Sequence, residues 1–153
     1  MQTSEAVALG CGKLEIDVGC NGAWVDISGS STSLDPISQD RMTGEAYTLD
    51  GMRPIIRGGK KQPFEAVVTI VYTEVAGEAW ETIEDAWDAA TCTPMVCLRW
   101  SPKGGAVGEK QYRIPNGVLS QITFPNMDAS AGGPIAAGFV VRAGYVEPTV
   151  ISS

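Results

Sequence analysis

The chain has 153 residues, 44% of them hydrophobic, and a formal net charge of −7 from 18 acidic and 11 basic side chains. That length fits one domain, residues 1–153, able to bury roughly 70% of the surface its unfolded form exposes, and the ordinary apolar content excludes disorder. The excess of acid argues against wrapping nucleic acid, which takes Lys and Arg to displace counterions from phosphates, and no apolar run is long enough to span a bilayer. The first twelve residues, MQTSEAVALGCG, lack the basic start and apolar core of a secretory signal, so a cytoplasmic origin is expected.

Residues 1–12 read as an N-terminal arm. Lys13–Val18 then alternates strictly, with Leu14, Ile16 and Val18 on one face and Lys13, Glu15 and Asp17 on the other, which predicts a half-buried strand. Asn21-Gly22 is a turn signal, and Ala23–Ser28 is its hairpin partner. Gly29–Asp40 reads as a polar connection and Arg41–Leu49 as a further strand interrupted by Gly44. Asp50–Pro63 carries three Gly, two Pro and four bases and reads as a long loop. Loops of that length in compact domains are usually functional. It displays Ile55-Ile56 between Arg53, Arg57, Lys60 and Lys61, an apolar tip flanked by bases that suits docking onto another surface. The competing reading folds Ile55 and Ile56 back over the core of their own subunit.

Phe64–Thr73 is rich in β-branched and aromatic residues, as a well-packed strand should be. A helix is predicted next, over about 77–91. Its apolar stripe comprises Ala79, Trp80, Ile83, Ala86, Trp87 and Ala90, and its opposite face carries Glu81, Glu84, Asp85 and Asp88. Pro94 ends it, and Met95–Ser101 resumes the strand pattern. Pro102–Glu109 is a Gly-rich turn region; Lys110–Ile114 and Gly117–Phe124 are strands; Pro125–Pro134 is a loop; Ile135–Val146 is a last strand, and residues 147–153 form a tail. The fold class expected is therefore mainly β, a sandwich or partly closed barrel of antiparallel strands with one flanking amphipathic helix.

Chemistry is absent from this pattern. With no histidine there is no Ser-His-Asp or Cys-His arrangement. The helix carboxylates lie opposite the apolar stripe, on the side left to solvent, and nothing supplies the second wall of a glycosidase cleft. Gly58-Gly59-Lys60 lacks the earlier Gly and the following Ser or Thr of a phosphate loop. Cys11, Cys20, Cys92 and Cys97 have gaps that suit no zinc module, and disulfides are not expected in a reducing cytoplasm. Cys97 reads as a small buried hydrophobe. Trp24, Trp80, Trp87 and Trp100 could form a sugar-stacking platform, but three of them sit in amphipathic or alternating patterns and read as core. No catalytic residue, metal site or cofactor is expected.

The order of elements resembles the major tail tube proteins of long-tailed bacteriophages with non-contractile tails. The resemblance is carried by the hairpin LEIDVGCNGAWVDIS, the stretch TGEAYTLDGMRPIIRGGKKQPFEAVVTIVYTE, the helix EAWETIEDAW, the return strand LRWSPKGG and the late strand pair. It implies a structural virion protein, not an enzyme, assembled in the host cytoplasm as stacked hexameric rings that form the tail tube. DNA would be passing cargo in the lumen during ejection, and the partners would be further copies of the chain, the tape measure and the terminator, with no membrane. The long loop, with Arg53, Ile55, Ile56, Arg57, Lys60 and Lys61, would contact the neighbouring ring. The acidic face of Glu81, Glu84, Asp85 and Asp88 could meet those bases on a neighbour, while Trp80, Ile83 and Trp87 face the subunit's own core. The alternatives are a single-ring tail terminator or head–tail joining protein, and a carbohydrate-binding β-sandwich.

Overall fold

The computed structural model describes residues 6–7, 10–35, 37–89, 92, 94–130 and 132–152. Most of the arm read over residues 1–12, and the helix positions 90 and 91, lie outside the described residues. Among the described residues there are eleven strands and one helix: β1 Lys13–Val18, β2 Val25–Asp26, β3 Ser31–Leu34, β4 Arg41–Ala46, β5 Ile55–Lys61, β6 Phe64–Val71, α1 Ala79–Ala89, β7 Val96–Ser101, β8 Lys110–Ile114, β9 Gly117–Thr123, β10 Ala136–Ala143 and β11 Glu147–Val150. They form a five-stranded sheet in the order β11-β8-β7-β1-β2, a four-stranded sheet in the order β3-β6-β10-β9, and a separate two-stranded ribbon, β4-β5. All pairings are antiparallel. The architecture is a β-sandwich with one helix, and neither sheet closes into a barrel.

Period-two alternation builds the interior. Leu14 and Ile16 of β1 stand beside Trp100 and Leu98 of β7, and they supply one wall. Val68 pairs with Phe139 and Ala66 with Val141, supplying the other. Leu119 and Ile122 of β9 continue that second wall. α1 rests against β1, β6, β9 and β10 and buries Ala79, Trp80 and Ile83; Trp87 packs half-buried on the same cluster. Trp80 makes edge-to-face contacts with Tyr72 at 5.9 Å and Phe124 at 6.0 Å, which fix the helix azimuth.

The structure corrects several expectations. Ile55–Lys61, read as loop, is strand β5, and it forms a hairpin with β4. Ser31–Leu34, read as a polar connection, is the edge strand β3. Glu147–Val150, read as tail, is the edge strand β11. β3 and β11 are held by backbone pairing at sheet edges with little apolar burial, so neither shows the alternation that reveals an inner strand; Pro148 is tolerated at an edge because its missing N–H costs no ladder bond there. Glu15 and Asp17, placed on the solvated face of β1, are buried. The β1–β2 turn folds back over that face, with Gly19, Cys20 and Gly22 all at positive φ. Its geometry is pinned by the Gly22 N–H donated to the Asp17 carboxylate at 2.7 Å and the Gly19 N–H donated to the Met95 carbonyl at 2.8 Å.

That turn also overturns the expectation of no disulfide. β1–β7 pairing puts Cys97 opposite Asp17, and the turn brings Cys20 back over it; the two form a disulfide with Cα atoms 5.4 Å apart at a sequence separation of 77. A separation this large leaves no spacing signal in the sequence. Cys11 and Cys92 are free and exposed. Closing a long loop typically contributes about 2–4 kcal/mol. Cys20→Ser, or reduction of the native chain, should therefore lower the unfolding free energy read from urea titration by that amount, and the denatured, unreduced protein should titrate two thiols. Four titratable thiols with no loss of stability on reduction would show that this bond does not form in solution.

Candidate functional site

The hairpin β4–β5 is the part of the chain that its own core does not explain. Every residue of both strands is exposed. It springs from a base tied to the sandwich: the Gln62 N–H donates to the Asp40 carbonyl at 2.7 Å, and the Gln39 amide bridges to the carbonyls of Gln62 and Gly144. The strands are joined by an eight-residue tip, 47–54, in which Gly51 passes so close to Thr48 that a Cβ there would meet its Oγ1 at 2.6 Å. Directly paired residues share a face, so Ala46 and Ile55 lie together on one side of the ribbon and Glu45 and Ile56 on the other. Ile55 and Ile56 retain 46% and 61% exposure and do not fold back over the core. Tyr47, Leu49 and Met52 add three more bare apolar side chains around the tip.

The ribbon is as distinct in charge as in polarity. Between positions 41 and 61 it carries five bases against two acids, in a chain that is otherwise strongly acidic. Arg41 and Lys61 stand directly opposite each other near the base, a like-charge pairing that weakens a ribbon. Among the described residues, none of Arg53, Arg57, Lys60 and Lys61 has an ion-pair partner. On α1, Asp85 and Asp88 are exposed while Glu81 and Glu84 are half-buried, and the last turn holds no base. Asp88 in that turn opposes the helix dipole by about 0.3–1 kcal/mol, so the helix's own stability does not account for it, whereas Glu81 in the first turn is favoured by the dipole. The structure does not bring the ribbon bases and the helix acids into ion pairs within one chain.

Arg41, Met42, Tyr47, Leu49 and Met52 belong to this surface and were not singled out from the sequence. The available signal was Asp50-Gly51, a turn dipeptide between two runs that each hold apolar residues and bases. Of the other strand bases, Arg113 pairs with Glu147 at 2.8 Å and Arg142 with Glu65 at 3.3 Å, while the exposed Lys110 has no ion-pair partner among the described residues. No group of three His, Cys, Asp or Glu among the described residues could hold a metal ion, and no helix among them is long and apolar enough to cross a membrane.

A second charged feature sits on the outer face of the larger sheet. Glu15 is salt-bridged to Arg99 and, at 3.1 Å, to Lys13, and the Arg99 guanidinium lies 4.3 Å above the Trp24 ring. Burial pushes the Glu15 carboxyl up, but hydrogen bonds and attraction from Arg99 and Lys13 outweigh it and hold it below the ordinary glutamate range. This cluster binds the sheet to the returning turn, and its polar groups serve one another.

No protein-family model matches the chain, and no curated protein is similar to it in sequence. Solved structures are similar in fold. A chain of the anti-feeding prophage baseplate superposes with a TM-score of 0.75 at 8% identity, covering 99% of this chain and 100% of that one. A chain of the anti-feeding prophage tube-terminating cap gives 0.74 at 12% identity, covering 98% and 95%. A chain of the sheath–tube complex of an extracellular contractile injection system, in its extended state, gives 0.64 at 14% identity, covering 91% and 89%. At these identities the likeness establishes the fold. The matched structures include a contractile system, so the likeness does not single out non-contractile tails.

The Glu15 cluster has a measurable pH signature. A carboxyl depressed in the folded state stabilises fully above its ordinary value and loses that stabilisation as pH falls through the folded one. Glu15→Gln should cost about 1–3 kcal/mol at neutral pH by leaving Arg99 with a weaker partner. The gap to wild type should narrow as pH falls from neutrality through and below the ordinary glutamate range, where wild-type Glu15 itself loses its charge. Urea unfolding at the two pH values checks this; an unchanged gap would mean that Glu15 acts through packing alone.

Proposed function

We propose that this chain is a structural, non-enzymatic subunit of a phage-tail-like particle, which self-associates as stacked hexameric rings into a tube that conducts DNA during ejection. The observation that carries the proposal is the bare hairpin: an apolar tip on a basic stem, projecting from a fold shared with baseplate, cap and sheath–tube chains. A monomer in water has no use for five exposed large apolar side chains in one tip; a polymer does. Ring stacking needs complementary patches on one chain, and the basic stem and the acidic helix face of Glu81, Glu84, Asp85 and Asp88 supply them. Hexameric symmetry accords with the matched baseplate reconstruction, which is six-fold symmetrised. The net charge of −7 and the pairing of Arg113 and Arg142 favour a lumen to which DNA does not adhere. Copies of the chain, a tape measure and a terminator are the partners in this reading, and the virion tail is the location.

One other reading has specific support. The likeness to a tube-terminating cap is as strong as that to the baseplate chain, so a single-ring terminator or joining role fits the same fold. The carbohydrate-binding alternative loses its platform: Trp80 is buried, Trp87 and Trp100 are half-buried against the core, and Trp24 is covered by Arg99.

Ile55→Ser with Ile56→Ser should abolish assemblies seen by electron microscopy while shifting the melting temperature by no more than a few degrees, because neither side chain is in the core. Unfolding of the double variant would return the pair to its own subunit. Exposed ion pairs are worth about 0–1 kcal/mol each and are screened by salt, so the charge contact must be tested in sets. Arg57→Glu with Lys61→Glu should impair assembly, and adding Glu84→Lys with Asp88→Lys should partly restore it. Absence of any rescue would remove the helix face as the partner of the bases.

A further inference from the structure

The interior of the sandwich is not sealed all round. α1 covers the core where β1, β6, β9 and β10 meet it, but the side bounded by β3 has no such cover. There Leu34, Ile37, Trp100 and Val146, all packed on the core cluster, stop at half burial, and a cleft of about 1000 Å³ opens between the β3 edge and the face formed by β1, β7 and β8. Its floor includes Trp100 stacked on Tyr112 at 5.8 Å. β3 is the last strand of its sheet, so the outer edge of Ser31–Leu34 presents unpaired backbone groups along one wall.

We infer that the cleft of one copy receives the hairpin tip of a second copy. This rests on the assembly reading above and names the surface that accepts the hairpin. The two features are matched in character and lie apart in one molecule: no tip residue lines the cleft. Tyr47, Leu49, Met52, Ile55 and Ile56 would each bury on the order of 100 Å², together about 500 Å² of the roughly 800 Å² that each partner of a stable interface covers, with the backbone and polar side chains of the tip supplying the rest. Signs also match. Asp35 at the cleft wall and Arg53 in the tip are both exposed, and neither has an ion-pair partner among the described residues. An extended tip segment could continue the sheet from the β3 edge, taking affinity from backbone hydrogen bonds and specificity from side-chain pockets. Tip and cleft are different patches, so a contact made once per pair of copies is heterologous and propagates into rings or stacks, whereas a reciprocal exchange of tips would close as a two-fold dimer and stop the covalent ladder at two chains.

Cys11 provides a reporter, since its thiol is free, exposed and at the cleft. In a Cys92→Ser background, Leu49→Cys should be assembled under mild reductant, checked by negative-stain microscopy, then oxidised and run on a non-reducing gel. The expected result is a ladder of covalent oligomers that is lost when Cys11→Ser is added. Asp50→Cys, which keeps every apolar side chain of the tip, is the second variant and should give the same ladder. Intact assemblies with no Cys11-dependent ladder from either variant, or a cross-link confined within single chains, would overturn the tip-in-cleft contact and leave the assembly reading standing. A wild-type chain that stays monomeric at high concentration would overturn both.

Discussion

Apolar burial between the two sheets is what every other feature of this molecule depends on. Leu14, Ile16, Leu98, Val68, Phe139 and Val141 face one another across the sandwich, with Trp80 and Ile83 of the helix added at the margin. Each such side chain contributes about 1.5–3 kcal/mol on leaving water, and together they offset the ordering of the chain. The hairpin β4–β5 takes no part in that interior. Its conformation is held at the base by Asp40, Gln62 and Gln39 and otherwise only by its own ladder. Stability and outward reach are therefore assigned to different residues. Changes at the tip can alter association with little effect on folding, and changes in the core do the reverse.

Charge follows the same division. On the sandwich most bases meet acids, Arg99 and Lys13 with Glu15, Arg113 with Glu147 and Arg142 with Glu65, and only Lys103 and Lys110 have no ion-pair partner among the described residues. Where bases lie on the hairpin, none has an ion-pair partner among the described residues, and Arg41 even faces Lys61. The acidic run of α1 is its counterpart, with no base in the last turn to relieve it. Fields of opposite sign kept apart on one subunit cost a little as a monomer and are recovered when copies meet, with register enforced by like-charge repulsion in wrong pairings.

The parts of the fold legible in the sequence were those written in apolar periodicity. Strands β1, β6, β7 and β10 and the helix declare themselves because one face of each is buried. β3 and β11 do not, because edge strands need backbone partners more than apolar side chains, and Ser-Thr-Ser or Glu-Pro-Thr carries no period. β5 was hidden by Gly58-Gly59 and by a tip that looks like continuous loop; the apolar pair within it was visible, but its pairing with Arg41–Ala46 was not. The Cys20–Cys97 disulfide joins positions 77 residues apart through a left-handed turn, and compartment reasoning pointed away from it. The burial of Glu15 and Asp17 has the same origin, since strict alternation describes a strand with one wet face and cannot foresee a turn folding over it.

The proposed role has copies of this fold repeated in an assembly, with the hairpin as their connector. Electron microscopy of the purified wild-type protein across a concentration series tests that most directly. The account requires concentration-dependent tubes built of stacked rings. Isolated rings that never stack would assign the chain to a terminating or joining position, and a monodisperse monomer at every concentration, with its hairpin bare in solution, would contradict the account outright.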